Sequence, residues 1–528
     1  MMMRFKIQWC VFLAFVLLPV FAHPQPAESP EAAGITPITG DLAPWRDYGV
    51  DMTNFDNVWV IALNNGSIVA FKRAHDFQQP GVVGGSEFLI FGPDGQKITP
   101  TPVRGSFDSN GQPTPLVNYA GTGLSWGAFT LGARPDRAKG TGFVVHNQLE
   151  AAATFSLEFG DVMGDDPFSI VQFFDNDGKP MGSHINAFGA LLAEPGSYRD
   201  IGAAVLSNGD LVSLGENRQQ SDSFLDTIGA QASEVAMAVI LGKDGSTKAG
   251  PFAMHTGEDG QYLGSGSSIV YENIVAFDGG FVVDYSLGIR WYNNDGTPRT
   301  PAQSDHAELA GIEVVPELGI AFVADTGGRG DGMAIASNGK DLVVKSTTLG
   351  GTDGQVGVLI YYNTDGTVRN WVRFDDVDVT LETPRVDRTH CDMDENGNVF
   401  VVWQDERFGG DIDDSYRQIF GRFFNSQGEP AGPSFPVYQN WKKEPVTVNY
   451  GTKIGEYPAG DHQQPRCAIN SQVAAVIDGT TIMPDLPDTV KQVSDAFYDA
   501  LGDVFDEAVL RIFKNPFAAT PVEHWEVY

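Results

Sequence analysis

Cysteine is nearly absent from this chain. There are three in 528 residues, and Cys10 sits ahead of the N-terminal apolar run, the wrong place for a lipoprotein cysteine. The two that remain exclude a multi-bridge disulfide framework, and neither has a neighbouring Cys/His spacing suited to zinc. Basic residues are also scarce, 34 Lys+Arg against 68 Asp+Glu, a net charge of −34 with no long acidic block. That surface repels nucleic acid and anionic membranes before contact, and suits salty surroundings or attraction for cations. Beyond residue 22 no apolar run is long enough to span a bilayer. Helical periodicity is sparse. Gly-x-Ser-x-Gly, His-Glu-x-x-His and the P-loop are all missing, which removes the commonest hydrolase, metalloprotease and NTPase chemistries. Gly260 and Gly264 lie in a loop with no βα unit around it, so they form no dinucleotide fingerprint. Arg329-Gly330-Asp331 is a tripeptide that arises often by chance in Gly-rich loops.

What is present begins with a leader. A basic Met-Met-Met-Arg-Phe-Lys, an apolar run from Val11 to Ala22 and the small-residue end Val20-Phe21-Ala22 predict a secretory signal peptide over 1–22. The mature chain is expected to be exported, secreted or periplasmic, and monomeric. Residues 23–53, rich in Pro, Ala and Glu, read as a linker with little structure of its own.

From residue 54 to 528 one unit repeats. Its clearest copy is Cys391–Tyr438: a turn at Asn396-Gly397-Asn398, the apolar strand Val399–Trp403, a strand Gln418–Phe424, a turn at Asn425–Gly428, and an extended Pro-containing strand. Two hairpins make four strands, one blade of a β-propeller. First-hairpin turns recur at Asn64–Gly66, Gly140–Gly142, Ser207–Gly209, Asp278–Gly280, Ser337–Gly339, Asn396-Gly397 and Asn470-Ser471, each before a short apolar strand. Second-hairpin turns such as Pro93–Gly95, Asp175–Gly178, Asn294–Gly296 and Thr364–Gly366 interleave with them, and the most degraded is Lys514–Pro516. The expected architecture is all-β, a seven-bladed β-propeller of four-stranded antiparallel blades. Its blades run roughly over 57–110, 111–190, 198–258, 268–310, 330–380, 384–440 and 462–528.

Aromatic doublets precede four of the second turns: Phe173-Phe174, Trp291-Tyr292, Tyr361-Tyr362 and Phe423-Phe424. Neighbours on a strand point to opposite faces, so each doublet is expected to pack against both adjoining blades. Thr520–Tyr528 resembles the outer strand Ser434–Tyr438, which predicts a ring closed without a strand exchanged between the termini. Within the last copy, Val490, Val493, Phe497, Ala500, Leu501 and Val504 fall at helical spacing behind Pro487 and an Asp488 or Thr489 cap. They predict an amphipathic helix inserted in the last blade over 488–504.

Candidate chemistry gathers at the ends of the innermost strands. Asp392, Asp394 and Asn396, followed by Gly397, alternate like the first half of a calcium loop. The twelfth position is Trp403 where a bidentate Glu belongs, so a turn held by local hydrogen bonds stays open beside calcium. Asp175–Gly178 carries the same idea with fewer ligands. Cys391 and Cys467 occupy matching places in consecutive copies, as a disulfide or as two buried thiols. Tyr198, Arg388, His390 and Arg466 are the candidate catalytic set if the loops around the channel gather them on an anionic sugar. Arg199, Arg385, His462 and His146 are candidate ligand contacts. The bland alternative is that these side chains satisfy loop carbonyls and carboxylates.

Val401-Val402-Trp403-Gln404-Asp405-Glu406-Arg407, continuing through Ile419–Pro430, resembles the repeats of large exported bacterial propeller proteins, roughly apolar-apolar-Trp-x-Asp-x-Arg. The resemblance covers this one copy well and the others in part, and it implies fold and export but little about activity. Two functions follow as expectations. One is a binding or scaffold module for an extracellular carbohydrate or protein, with structural calcium as the only cofactor considered. The other is a polysaccharide-degrading enzyme of lyase type, its site at the channel mouth.

Overall fold

The alternating β-branched and aromatic runs fold as strands, and the Gly-ended turns between them reverse the chain. Gly397 sits at φ 85° and Gly428 at φ 81°, backbone that side-chain-bearing residues rarely adopt. A Cβ on Gly397 would also meet that of Ser426 at 2.9 Å. The chain is seen in a computed structural model. It describes residues 26–47, 58–72, 87–99, 103–104, 129–132, 143–149, 168–179, 181, 185–186, 198–217, 235–242, 244–254, 273–285, 288–300, 307–322, 334–351, 354–380, 382–405, 418–438, 446–450, 453–457, 461–482, 492–493 and 505–518.

Among the described residues the fold is an all-β propeller. Six four-stranded antiparallel sheets and one three-stranded antiparallel sheet follow one another along the chain, and a second three-stranded sheet, of Val446–Tyr450, Lys453–Tyr457 and Gln492–Val493, and a two-stranded hairpin are additional to them. Their innermost strands are, in order, Val58–Ala62, Phe129–Gly132, Tyr198–Val205, Asn273–Phe277, Ala334–Ser337, Val386–Met393 and Asp461–Ile469. Each packs on its neighbour, and Val58–Ala62 returns to pack on the last sheet, so the sheets form a closed ring. The fourth sheet has three strands among the described residues. Beside it, a short hairpin of Glu313–Val315 and Ile320–Ala321 adds Leu309, Val315, Ile320 and Phe322 to the core shared with the fifth sheet.

The core is divided into layers between sheets, and the aromatic doublets straddle them as their alternation requires. Phe423 packs between the sixth and last sheets while Phe424 packs between the fifth and sixth. Tyr361 and Tyr362 split the same way, as do Trp291 and Tyr292. Each such ring contributes about 2–3 kcal/mol of burial, so one doublet holds three sheets together.

Three expectations are corrected. The segment read as linker carries the strand Leu42–Asp47, which pairs antiparallel with Phe505–Lys514 and forms the outer edge of the last sheet. The ring is therefore closed by a strand from the other end of the chain. Residues ahead of that strand continue the seal: Ile38 N–H donates to Ile512 O at 2.8 Å, Lys514 N–H to Thr36 O at 2.9 Å, and Ala27 N–H to Ser434 O at 2.7 Å. Ala33 and Ile35 are buried in the layer between the sixth and last sheets. The C-terminal stretch 520–528 lies outside the described residues. The inserted helix is not seen: Gln492–Val493 is an extended pair, parallel to Asn449–Tyr450, and the rest of 488–504 falls outside the description. No described helix is long and apolar enough to cross a membrane.

If the N-terminal segment closes the ring, Ile35→Ala should lower unfolding free energy by roughly 2–4 kcal/mol in urea titration. Deleting residues 26–47 should abolish a single cooperative transition.

Candidate functional site

Three innermost strands place unlike side chains at one structural level. Trp59, His390 and Arg466 each sit three residues before the end of their inner-strand pairing, opposite Phe71, Val402 and Ile477. They belong to the first, sixth and last sheets, consecutive around the ring, so they meet near its axis. The His390 and Trp59 rings are 6.2 Å apart, edge to face at 83°. The Arg466 guanidinium carbon lies 4.5 Å from the Trp59 ring centroid, a cation–π contact. Arg466 is 2% exposed, while Trp59 and His390 keep partial exposure. Register slips precede two of the three residues, between Asp387 and His390 and between Gln463 and Arg466. Such bulges re-aim side chains.

The His390 ring is held as an acceptor. Its Nδ1 takes the Cys467 N–H at 3.2 Å, which leaves the proton of the neutral ring on Nε2. Burial, then the nearby Arg466 charge, lowers its pKa to about 3, with Asp392 pulling the other way. Two residues along the same strand face, Asp392 repeats the contact. Its Oδ2 accepts the Ile469 N–H at 2.8 Å. The sixth sheet thus reaches across with two side chains to two successive same-side N–H groups of the last sheet's inner strand.

Asp394 is likewise committed within the protein. Its Oδ1 accepts the N–H groups of Asn396 and Asn398, both at 2.8 Å. Its Oδ2 accepts the Asn398 amide at 2.8 Å and the Asn515 amide of the last sheet at 3.1 Å. Asn515 also donates to Asn470 O at 2.8 Å, and the Asn470 amide donates to Leu63 O in the first sheet at 2.7 Å. The other first-hairpin turns link similarly: Gly279 N–H to Ser207 Oγ at 3.0 Å, Asp278 N–H to Lys340 O at 3.0 Å, and Lys340 Nζ to Glu395 O at 3.2 Å. Turn meets turn from the third sheet round to the first. Asp175 caps its own turn, accepting the Asp177 and Lys179 N–H groups. Among the described residues no three His, Cys, Asp or Glu side chains are grouped to hold a metal ion.

The disulfide expectation is corrected: Cys391 and Cys467 are free and buried. Matching positions in consecutive copies face the same way round the ring, so the two sulfurs occupy successive layers with a sheet between them. Cys391 lies between the fifth and sixth sheets and Cys467 between the sixth and last. Burial pushes the Cys391 thiol up to about 12 and the Cys467 thiol well above its usual range, so neither is a ready nucleophile.

The remaining candidates are more scattered. Arg388 takes φ 45° within the bulge, and its Nε lies 3.7 Å from the carboxylate of its neighbour Asp387. It is not joined to His390 or Arg466 by any described contact. Arg385 is exposed, bridged through its backbone to Gln355. Tyr198, Arg199, His462 and His146 lie on strands, opposite Asn217, Glu216, Thr480 and Thr130, but their side chains fall outside the description. Two features escaped the sequence reading. Trp59 is one, although aligning the copies on their first turns sets it in the column of His390 and Arg466. The other is a buried ion pair between the fourth and fifth sheets, Lys345 Nζ to Asp284 Oδ1 at 2.7 Å.

No family profile matches the chain, so the Trp-x-Asp-x-Arg resemblance gains no support there, and no curated protein matches it. Solved structures superpose loosely. A protein of unknown function from Dyadobacter fermentans DSM 18053 shares 11% identity at TM-score 0.36, over 90% of this chain and 98% of its own. A Penicillium chrysogenum α-L-arabinanase complexed with arabinobiose gives 11% and 0.35, over 89% and 97%. A phage phi92 endosialidase gives 12% and 0.39, over 92% and 69%. Superpositions this loose carry no argument about activity.

Two outcomes are expected. The unfolded His390 takes its proton near 6.5 and the folded one only near 3. Between those values the unfolded state binds more protons, so stability falls as pH drops through that window. His390→Phe should flatten this acid limb, by about 1–3 kcal/mol, in denaturation curves at stepped pH. Asp394→Ala strands several buried donors and should cost on the order of 3 kcal/mol, with EDTA leaving the parent's melting temperature unchanged.

Proposed function

We propose that this protein is an exported propeller, secreted or periplasmic, that binds an extracellular carbohydrate or protein partner and does no acid–base chemistry on it. One observation carries the reading. Among the described residues His390 is the base at the axis, and it is held neutral down to about pH 3, with its Nδ1 lone pair occupied by the Cys467 N–H. A general base works best with a pKa near the working pH, and this one is several units away. Arg466 is buried against Trp59, and Arg388 is paired with Asp387. The polar groups at the axis thus act as fastenings between sheets, and recognition falls to the surface the ring presents. The excess of acid favours soluble, cationic or neutral partners over nucleic acid.

A second reading, a polysaccharide lyase using His390, Arg388, Tyr198 and Arg466, draws on the meeting of His390 and Arg466 at one level. It requires a base that titrates near neutrality.

The test is a panel of acidic and neutral polysaccharides incubated with mature protein, with and without EDTA. Reducing ends and the ultraviolet absorbance of unsaturated uronates are followed, alongside retention on immobilised glycans. Retention without new absorbance is expected. Absorbance that appears with the parent and vanishes in His390→Ala establishes the lyase instead.

A further inference from the structure

We propose that Asn396 is a site of spontaneous covalent modification, where the chain deamidates through a cyclic imide and loosens the joint at which the ring closes. The inference stands whatever the ring binds. Four Asn-Gly pairs lie among the described residues, Asn65-Gly66, Asn208-Gly209, Asn338-Gly339 and Asn396-Gly397, and a fifth, Asn110-Gly111, lies outside them. Glycine has no Cβ to obstruct its nitrogen, so such pairs cyclise most readily. In three of the four the asparagine side chain is tied down. Asn65 Oδ1 accepts the Ser67 N–H at 3.0 Å, Asn208 Oδ1 that of Asp210 at 3.0 Å, and Asn338 Oδ1 that of Lys340 at 2.9 Å. Each acceptor holds the N–H two residues on, the local bond by which an asparagine fits such a turn.

Asn396 is denied that partner. The N–H two residues on belongs to Asn398, and Asp394 Oδ1 takes it at 2.8 Å. The Asn396 side chain is exposed, and among the described contacts the residue keeps only a backbone bond, its own N–H to Asp394 Oδ1 at 2.8 Å. All four glycine N–H groups donate into their own turns, Gly397 to Asp394 O at 3.0 Å, so that contact does not rank the pairs.

The reaction needs water and no other reagent. The Gly397 nitrogen, losing its proton to solvent, bonds to Asn396 Cγ, and the Cγ–Nδ2 bond breaks as ammonia leaves. Water then opens the imide. Opening at the side-chain carbonyl leaves aspartate, and opening at the main-chain carbonyl leaves isoaspartate, with the backbone routed through Cβ and Cγ. That extra methylene falls inside the turn that Asp394 grips. The Asn398 N–H, the Asn398 amide and the Asn515 amide of the last sheet all end on the Asp394 carboxylate, so isoaspartate pulls on the tie between the sixth and last sheets.

The full mature protein is aged folded in warm, mildly alkaline buffer, then digested and mapped by mass spectrometry. A parallel sample is aged unfolded in guanidinium chloride. Asn396 is expected to convert first of the four in the folded sample, with isoaspartate among its products, and to lose that lead in the unfolded one. The aged protein should show a lower-melting population whose share follows the converted fraction. Asn396→Gln replaces an exposed side chain with one that must close a larger ring, and should hold its melting temperature through ageing. Conversion of Asn65, Asn208 or Asn338 ahead of Asn396 in the folded protein overturns the proposal. So does an equal lead for Asn396 in the unfolded chain, or a loss of melting temperature in Asn396→Gln as fast as in the parent.

Discussion

Every propeller must deal with the free edge of its innermost strands. Such a strand pairs with its own sheet on one side only, and the N–H groups on the other side point toward the axis. Left unpaired in a narrow space they cost free energy and invite mispairing. Here the sixth sheet supplies acceptors from side chains. His390 Nδ1 takes the N–H of Cys467, and Asp392 takes that of Ile469, two steps along the same edge. The contact fixes both the register of the two sheets and the protonation of the histidine. The turn network does the same job at the other end of these strands, where Asp394, Asn515 and Asn470 tie the sixth, last and first sheets together.

This arrangement gives the described axial side chains a structural task. A His, an Arg, several Asp and two Cys near an axis have the composition of an active site. Their described geometry is that of fastenings: a histidine that accepts an N–H and stays neutral down to about pH 3, thiols raised by burial, and an Asp394 carboxylate whose two oxygens accept four hydrogen bonds. The fastenings from His390, Asp392 and Asp394 lie where the ring closes, beside the sheet completed by Leu42–Asp47. Closure by a strand from the far end of the chain makes the last sheet depend on two distant segments, and its neighbours on both sides hold it with polar contacts as well as apolar ones.

Much of the fold was legible because its rules are local. The Gly turns and the aromatic doublets each carry their own physical reason, and Phe423-Phe424 packs as strand alternation dictates. The closing strand was hidden because Leu42–Asp47 stands alone, without a hairpin partner next to it, in a Pro- and Ala-rich stretch. The helical spacing over 488–504 does not hold at Val493, which the structure shows extended, and the rest of that segment lies outside the described residues. The disulfide between Cys391 and Cys467 failed on direction, since equal positions in successive sheets face successive layers. At the site, His390 and Arg466 were visible by residue type. Trp59 was not, because a lone tryptophan reads as core until the copies are aligned. The Lys345–Asp284 pair left no trace, because its partners belong to different repeats and meet only in three dimensions.

The central claim is that the polar side chains at the axis serve the inner-strand edge. Hydrogen exchange at two amides tests it most directly. In the parent protein Cys467 and Ile469 should both be protected, although neither N–H has a strand beyond it. In Asp392→Ala, exchange at Ile469 should accelerate sharply while Cys467, held by His390, stays slow. Equal exchange at Ile469 in parent and variant would contradict the account.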